Sequence, residues 1–463
     1  MIGKCNLSKG GGTTDVVNGI IEQYLAENST IDANTFVEFV EHTYNDSTLV
    51  DTQYSIYPKA VRLSDTKVFI AHTSDSTNNY LNGLICDIDG NTITAGNSTT
   101  LLSTTGIGSS SNVKLSNVGD SSSSVFIAYG DGTSSGATLN GVVCSVSGTT
   151  ITKGTSISIS SNAGSVGFMQ ICPVQSNSVF ITHSYGGTSS STKNRPYGIV
   201  CSVSGTTITK GTDTQLLSET TYVRPFKNSS QYFSCSYSAI VGCVGNNNGN
   251  AAFKCSISNR TITKDATSTF DSSLSYVGYS LICPVVSNGQ DRYLFITESS
   301  SGPTVYLTSY SSSTFTQLYK AQISNDFYVM YAAACDSHKV VCHAYLNDLP
   351  YNLKAFVLRT SDESDSIIVN NMATLSNIAR SGSGGIGILV MSLNNDIYKI
   401  FMAHSSGEPN RYLNGLLTSV DANGNISTSN LTTIKPSETK IQGLTKTSAT
   451  TSSAGDVWVL DTE

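Results

Sequence analysis

Three histidines recur in one short context. "VFIAHTS" (68–74), "VFITHSY" (179–185) and "IFMAHSS" (400–406) place His72, His183 and His404 in the same slot. Imidazole there could ligate a metal or move a proton. The slot also carries Tyr129 in "VFIAYGD", Glu298 in "LFITESS" and, by its neighbours, His343 in "KVVCHAY". A place that takes His, Tyr or Glu is no metal set, because ligands must converge on one ion. The economical reading is a strand-end side chain that hydrogen-bonds a neighbouring loop, with a binding role at a rim as the alternative. Other chemistry is thinner. Glycoside hydrolysis needs two carboxylates flanking one bond, and no spacing selects a pair among Asp213, Glu219, Asp291 and Glu298. "DANGN" (421–425) lacks the full calcium-loop pattern and reads as a turn. "GSGGIG" (382–387) does not lead from a strand into a helix, so it is no phosphate cradle. Neither a sialidase-type box nor a G-x-S-x-G elbow occurs. We expect no catalytic residue, no metal and no cofactor.

The elements that hold this slot repeat. Residues 59–105 and 112–161 share one order: an apolar strand, a turn, "VFIA", a polar loop, "LNG", an apolar strand with cysteine, a Gly turn and "TIT". Further copies run through 179–220, 232–270, 294–324, 339–375 and 398–434. Each holds four short β-prone stretches, A to D. Cys86, Cys144, Cys201 and Cys255 mark the period, at spacings of 58, 57 and 54 residues. Four strands per repeat at this length is the pattern of a propeller blade, in which stacked sheets cover one another's apolar faces. The expectation is an all-β, seven-bladed β-propeller of four-stranded blades. A run of β-sandwiches and a β-solenoid are the rivals.

Hairpin chemistry sets the strand order. "SGTTIT" at 147–152 and 204–209 and "DGNTIT" at 89–94 are tight C–D turns with Gly available for positive φ. The B–C connections are longer, polar and Tyr-bearing, and topology gathers them on one rim. Tyr80, Tyr185, Tyr197 and Tyr412 are candidate stacking platforms there, beside His72, His183 and His404. Ordinary loop packing is the alternative for each tyrosine.

Composition agrees. Charged residues make up 13% of 463 residues and the formal net charge is −7. No basic stripe is available for nucleic acid, and no apolar window reaches the length of a membrane span. The start lacks the apolar stretch of a secretory signal. Eleven cysteines are an odd number. Equivalent positions in successive repeats sit too far apart for a disulfide, so small buried core residues are expected.

The domain reading is a flexible and helical anchor over 1–34, a propeller over 35–436 and a small β appendage over 437–463, with 35–57 as a possible closing strand. Val16, Val17, Ile20, Ile21, Tyr24 and Leu25 suggest a short amphipathic helix within 14–29. The appendage pairs "KIQGLTKT" with "DVWVLD", which holds the single tryptophan, Trp458.

The Ser/Thr/Gly-rich repeats, with "VFIAHTS" and "YLNGLICDIDGNTITAG", resemble propeller-bearing structural proteins of tailed bacteriophages and prophages. The ends, "MIGKCNLSKGGGTT" and "IQGLTKTSATTSSAGDVWV", are similar to those of phage tail-fibre and related virion proteins. The resemblance implies a virion component (tail fibre, baseplate or capsid decoration) assembled in the host cytoplasm. It implies contacts to other virion proteins through 1–34 or 437–463, and several copies per particle or a homo-oligomer. A bacterial surface glycan is the expected ligand. A purely architectural subunit and, further off, a polysaccharide-degrading glycosidase are the alternatives.

Overall fold

In the computed structural model, side chains are described for much of residues 58–426. In the remaining stretches, 217–251 and 376–397 among them, strand positions alone are described. Two compact units emerge, Ser47–Ser427 and a second made of Met1–Asp46 with Thr428–Glu463.

The larger unit is an all-β propeller. In every repeat but the fourth the B strand pairs antiparallel with A on one side and C on the other, as Lys67–Ser74 does with Thr48–Ser64 and Tyr80–Asp89; in the fourth, Ser238–Gly245 pairs with strand C alone among the described residues. Strand D is broken. Thr92–Ala95 pairs one end of strand C and Thr99–Leu102 pairs the other, with a register shift between Leu81 and Asn82. Gly96 makes the corner, its N–H donating to the Ile85 carbonyl at 2.7 Å. A Cβ at Gly96 would press on the Ile85 carbonyl oxygen at 3.1 Å, with Thr149 of the next repeat in ordinary contact beside it.

The expectation of seven four-stranded blades is corrected here. Five sheets stand as discrete blades, four of them with five strands and one with four. The first and last repeats instead share one nine-stranded sheet. Two physical features make the difference. The D-strand break adds a strand to three of the five-stranded sheets, the parallel Lys227–Asn228 adds one to the fourth, and the 17-residue strand Thr48–Ser64 is long enough to serve two neighbours. Its second half pairs with Lys67–Ser74, while its first half pairs with Tyr412–Val420. There Thr48, Leu49 and Asp51 oppose Gly415, Asn414 and Leu413, as Thr99, Thr100 and Leu102 oppose Gly83, Asn82 and Leu81. The N-terminal side of the ring thus supplies the missing half of strand D to the last repeat.

The apolar cores lie between sheets. Phe69, Ala71 and Leu81 pack against Val125, Ile127 and Tyr129 of the next repeat. Phe126, Ala128 and Leu139 pack in turn against Val179, Ile181 and Cys201. Val68, Ile70 and Cys86 meet Phe401, Ala403 and Leu413 of the last repeat. Each fully buried Phe or Leu contributes about 1.5–3 kcal/mol, so the interfaces, rather than any isolated sheet, supply the stability. Eight described cysteines are buried free thiols. Burial pushes Cys86, Cys144 and Cys201 up to about 12, which keeps the thiols neutral and unreactive.

The tight C–D turns carry the expected backbone. Gly148 and Gly205 have φ of 61° and 60°. Without glycine, Asn259–Arg260 and Ser312–Ser313 occupy the same left-handed region.

The smaller unit contains no helix among its described residues. Val17–Ile21 is a strand paired with Gly3–Leu7, and Leu25–Ala26 pairs parallel with Thr433–Pro436. The helix expected within 14–29 is therefore corrected. Val16, Val17, Ile20 and Ile21 are β-branched and Gly19 is a poor helix former, so local preference runs to extended chain. Val37–Val40, inside the 35–57 segment read as a possible closing strand, pairs with Thr433–Pro436. Leu444–Thr445 pairs with Val459–Leu460. Trp458 lies outside the described residues.

Candidate functional site

Cross-strand register sorts the histidine slot. His72 opposes Asn82, Tyr129 opposes Asn140, His183 opposes Tyr197 and His404 opposes Asn414. The Asn of "LNG" is therefore the cross-strand partner of the slot, and antiparallel partners share a face. His343 is different. It opposes Ala355, the equivalent of Gly83, so it stands one residue earlier and on the other face of its sheet. The Glu298 side chain lies outside the described residues.

His72, His183 and His404 are 0%, 0% and 1% exposed. They do not present their rings to a rim. His183 shows what the slot does. Its Nε2 lies 2.9 Å from Asp213 Oδ1, and the Ser160 hydroxyl donates to Asp213 Oδ2 at 2.8 Å. Ser160 belongs to the second repeat and His183 to the third, so Asp213 ties two sheets together. This is not a nucleophile arrangement, in which histidine would stand between serine and carboxylate. Here the carboxylate is in the middle. Among the described residues, no group of three or more His, Cys, Asp or Glu side chains is placed to hold a metal.

The tyrosines fall into different positions. Tyr80 and Tyr412 both open strand C, one residue before the buried Leu81 and Leu413. Tyr80 is half-buried. Tyr197 takes the Asn place of "LNG", stacks on His183 at 6.0 Å and donates its hydroxyl to Gln215 Oε1 at 3.2 Å. Tyr185 ends strand B opposite Arg195. The Tyr185 and Tyr412 side chains lie outside the described residues. The four are thus not one repeated platform: two share a register and two do not.

"DANGN" is a closed turn. Gly424 has φ of 77°. The Asp421 carboxylate accepts from the Asn425 N–H at 2.7 Å and from its Nδ2 at 2.9 Å, and these bonds hold Asp421 below the usual carboxylate range against its desolvation. The Asn423 carbonyl accepts from Arg359 and Asn370 of the preceding repeat at 2.9 and 2.8 Å. These oxygens stitch two sheets together.

A different cluster sits on the A strands. The A strands of the first three repeats touch in sequence, as do those of the last three; Lys227–Asn228 lies between the two groups, and Gly387–Asn394 touches Thr48–Ser64, which completes an inner ring. At one level of this ring, Lys59 opposes Ala71, Lys114 opposes Ala128 and Gln170 opposes Thr182. Tyr331 opposes His343 at that same level. Lys59 Nζ donates to the Tyr331 hydroxyl at 3.1 Å and lies 5.7 Å from the ring centroid. Burial and the neighbouring Lys59 charge lower Lys114 to about 8, with Tyr331 opposing that shift. Sequence reasoning missed this cluster. The available signal was the alignment of "KAVRL" (59–63) with "KLSNV" (114–118), which puts both lysines at one strand position.

No protein-family model matches the chain, and no curated protein matches it. The fold is similar to that of the BP39L lectin from Burkholderia pseudomallei, with a TM-score of 0.57 at 11% identity, over 82% of this chain and 99% of that one. A protein from Lactobacillus plantarum gives 0.47 at 12% identity, over 82% and 95%. A putative 6-phosphogluconolactonase from Bacteroides uniformis gives 0.47 at 9% identity, over 82% and 96%. At these identities the likeness is one of fold: the chain is a β-propeller similar to that of a lectin.

Proposed function

We propose that the propeller is a carbohydrate-binding module whose sugar sites lie along the rim that carries the B–C connections. The observation that carries this reading is the shared placement of Tyr80 and Tyr412 at the start of strand C, beside polar loops, on a fold similar to that of a lectin. An aromatic ring at the mouth of a Ser/Thr/Asn-rich loop offers an apolar face and nearby hydrogen-bonding groups to a sugar. Repetition around a ring, or across copies, raises weak affinities through multivalency. The role is binding rather than catalysis.

The test is a screen of neutral and acidic glycans against the whole chain. Binding of at least one glycan, weakened about tenfold or more by Tyr80→Ala or Tyr412→Ala with the melting temperature kept, supports the reading. Absence of binding to every glycan, or release of reducing ends, rejects it. The wider proposal is that the chain is a virion protein of a tailed bacteriophage and that its sugar binding serves host attachment. It rests on the resemblance of the repeats and the two ends, and labelled antibody on purified particles checks it.

A further inference from the structure

Lys114 shows an unusual balance on the inner ring. Its side chain is half-buried, and among the described residues its ammonium makes no hydrogen bond or ion pair. A second ammonium lies close to it, that of Lys59, which donates to the Tyr331 hydroxyl at 3.1 Å. Among the described residues, the register level they share also carries Gln170 and no carboxylate. Two like charges brought together out of water oppose folding, and an anion between them removes that opposition.

We propose that this hub is an oxyanion-binding site, in which Lys59 and Lys114 neutralise the carboxylate or phosphate group of a small ligand and the Tyr331 hydroxyl orients it. The three groups come from three different repeats, so the site exists only in the closed ring. Carboxylate and phosphate share the recognition chemistry, two ammonium donors and one hydroxyl. The proposal is independent of the rim: a neutral sugar would occupy the loops, and the oxyanion the A strands. The lowered proton affinity of Lys114 agrees with a positive charge held beside another.

Calorimetric titration of the whole chain with glucuronate, with inorganic phosphate and with glucose, at low salt and pH 7, tests this. Binding of glucuronate or phosphate, but not of glucose, is expected. The anion that binds more tightly identifies the source. Lys114→Met should weaken that binding at least about tenfold, or about 1.4 kcal/mol, while Lys114→Arg keeps it within about threefold. Lys59→Met serves as the second variant should Lys114→Met fail to fold. Failure of both anions to bind the wild-type chain, or unchanged affinity in a folded Lys→Met variant, overturns the proposal. Lost neutral-glycan binding with retained anion binding would count against the rim reading alone.

Discussion

At the scale of single residues, Lys114 makes the sharpest prediction. In the folded chain its ammonium titrates at about 8, against 10.5 for an ordinary lysine. The cause is burial first and the charge of Lys59 second, with Tyr331 acting in the opposite direction. Between these two values the unfolded chain binds more protons than the native one, so stability rises with pH across that window. Below about 8 the penalty of the charged form is fully present. In anion-free buffer at pH 7, Lys114→Met should therefore stabilise the fold, by about 2 kcal/mol or less once solvent screening of a half-buried group is allowed for. The gain should fade as pH approaches 10.5. Urea midpoints of the two chains at pH 7 and pH 10 check this, and an equal gain at both would show that the charge is not its source. Residue identities alone gave the histidines prominence, because three copies of one letter are easy to see. Their burial was not legible. Whether a strand-end side chain faces solvent or the neighbouring sheet depends on the stacking of repeats, which one strand does not encode. The His343 misplacement has a similar origin. "VVCHAY" aligns with "VFIAHTS" by its histidine, whereas the pairing with Ala355 aligns it by its apolar run.

At the scale of the element, the "LNG" glycine illustrates what the repeat pattern means. A Cβ at Gly141 would meet Phe126 Cζ at 2.8 Å and Ile159 Cδ1 at 2.6 Å, and one at Gly198 would meet Phe180 at 2.8 Å. The glycine makes room for the strand-B phenylalanine. Where the sixth repeat has Ala355 in that place, strand B has Val341 in the phenylalanine place. Gly141→Ala should therefore destabilise the propeller by about 2 kcal/mol through overpacking. Phe126→Val should cost stability alone, yet combining the two should cost less than the sum. A double-mutant cycle on unfolding free energies checks this, and strict additivity would refute the coupling. Much of the element level was readable in advance. The order of strands A to D, the hairpin turns at Gly148 and Gly205 and the buried cysteines all followed from spacing and turn chemistry. The break in strand D was not. It depends on a register shift beside "LNG" and on the corner at Gly96, neither of which changes the hydrophobic pattern.

At the scale of the whole propeller, the long strand Thr48–Ser64 decides how the ring is held. Leu49 opposes Asn414 in the last repeat, whereas Phe39 opposes Ile434 in the smaller unit. Proline removes a donor and disrupts a paired strand. Leu49→Pro should therefore lower the melting temperature of the propeller and promote concentration-dependent association through the exposed edge. Phe39→Pro should leave the propeller transition in place. Scanning calorimetry with light scattering separates the two, and equal effects would mean that closure does not rest on 48–54. The discrete-blade count failed for the same reason: a strand that serves two repeats erases the boundary a sequence period implies. The smaller unit was misjudged because a stripe of Val and Ile fits a short helix and a short strand alike, and pairing decides between them.

That shared strand has a consequence for synthesis. The segment around Thr48 leaves the ribosome long before its partner near Gly415 exists, by a delay on the order of tens of seconds at ordinary elongation rates. During this interval the nascent chain carries a β edge whose native mate is not yet made. Its protection must come from elsewhere: a chaperone, a slow collapse of the early repeats, or the scarcity of other nascent copies nearby.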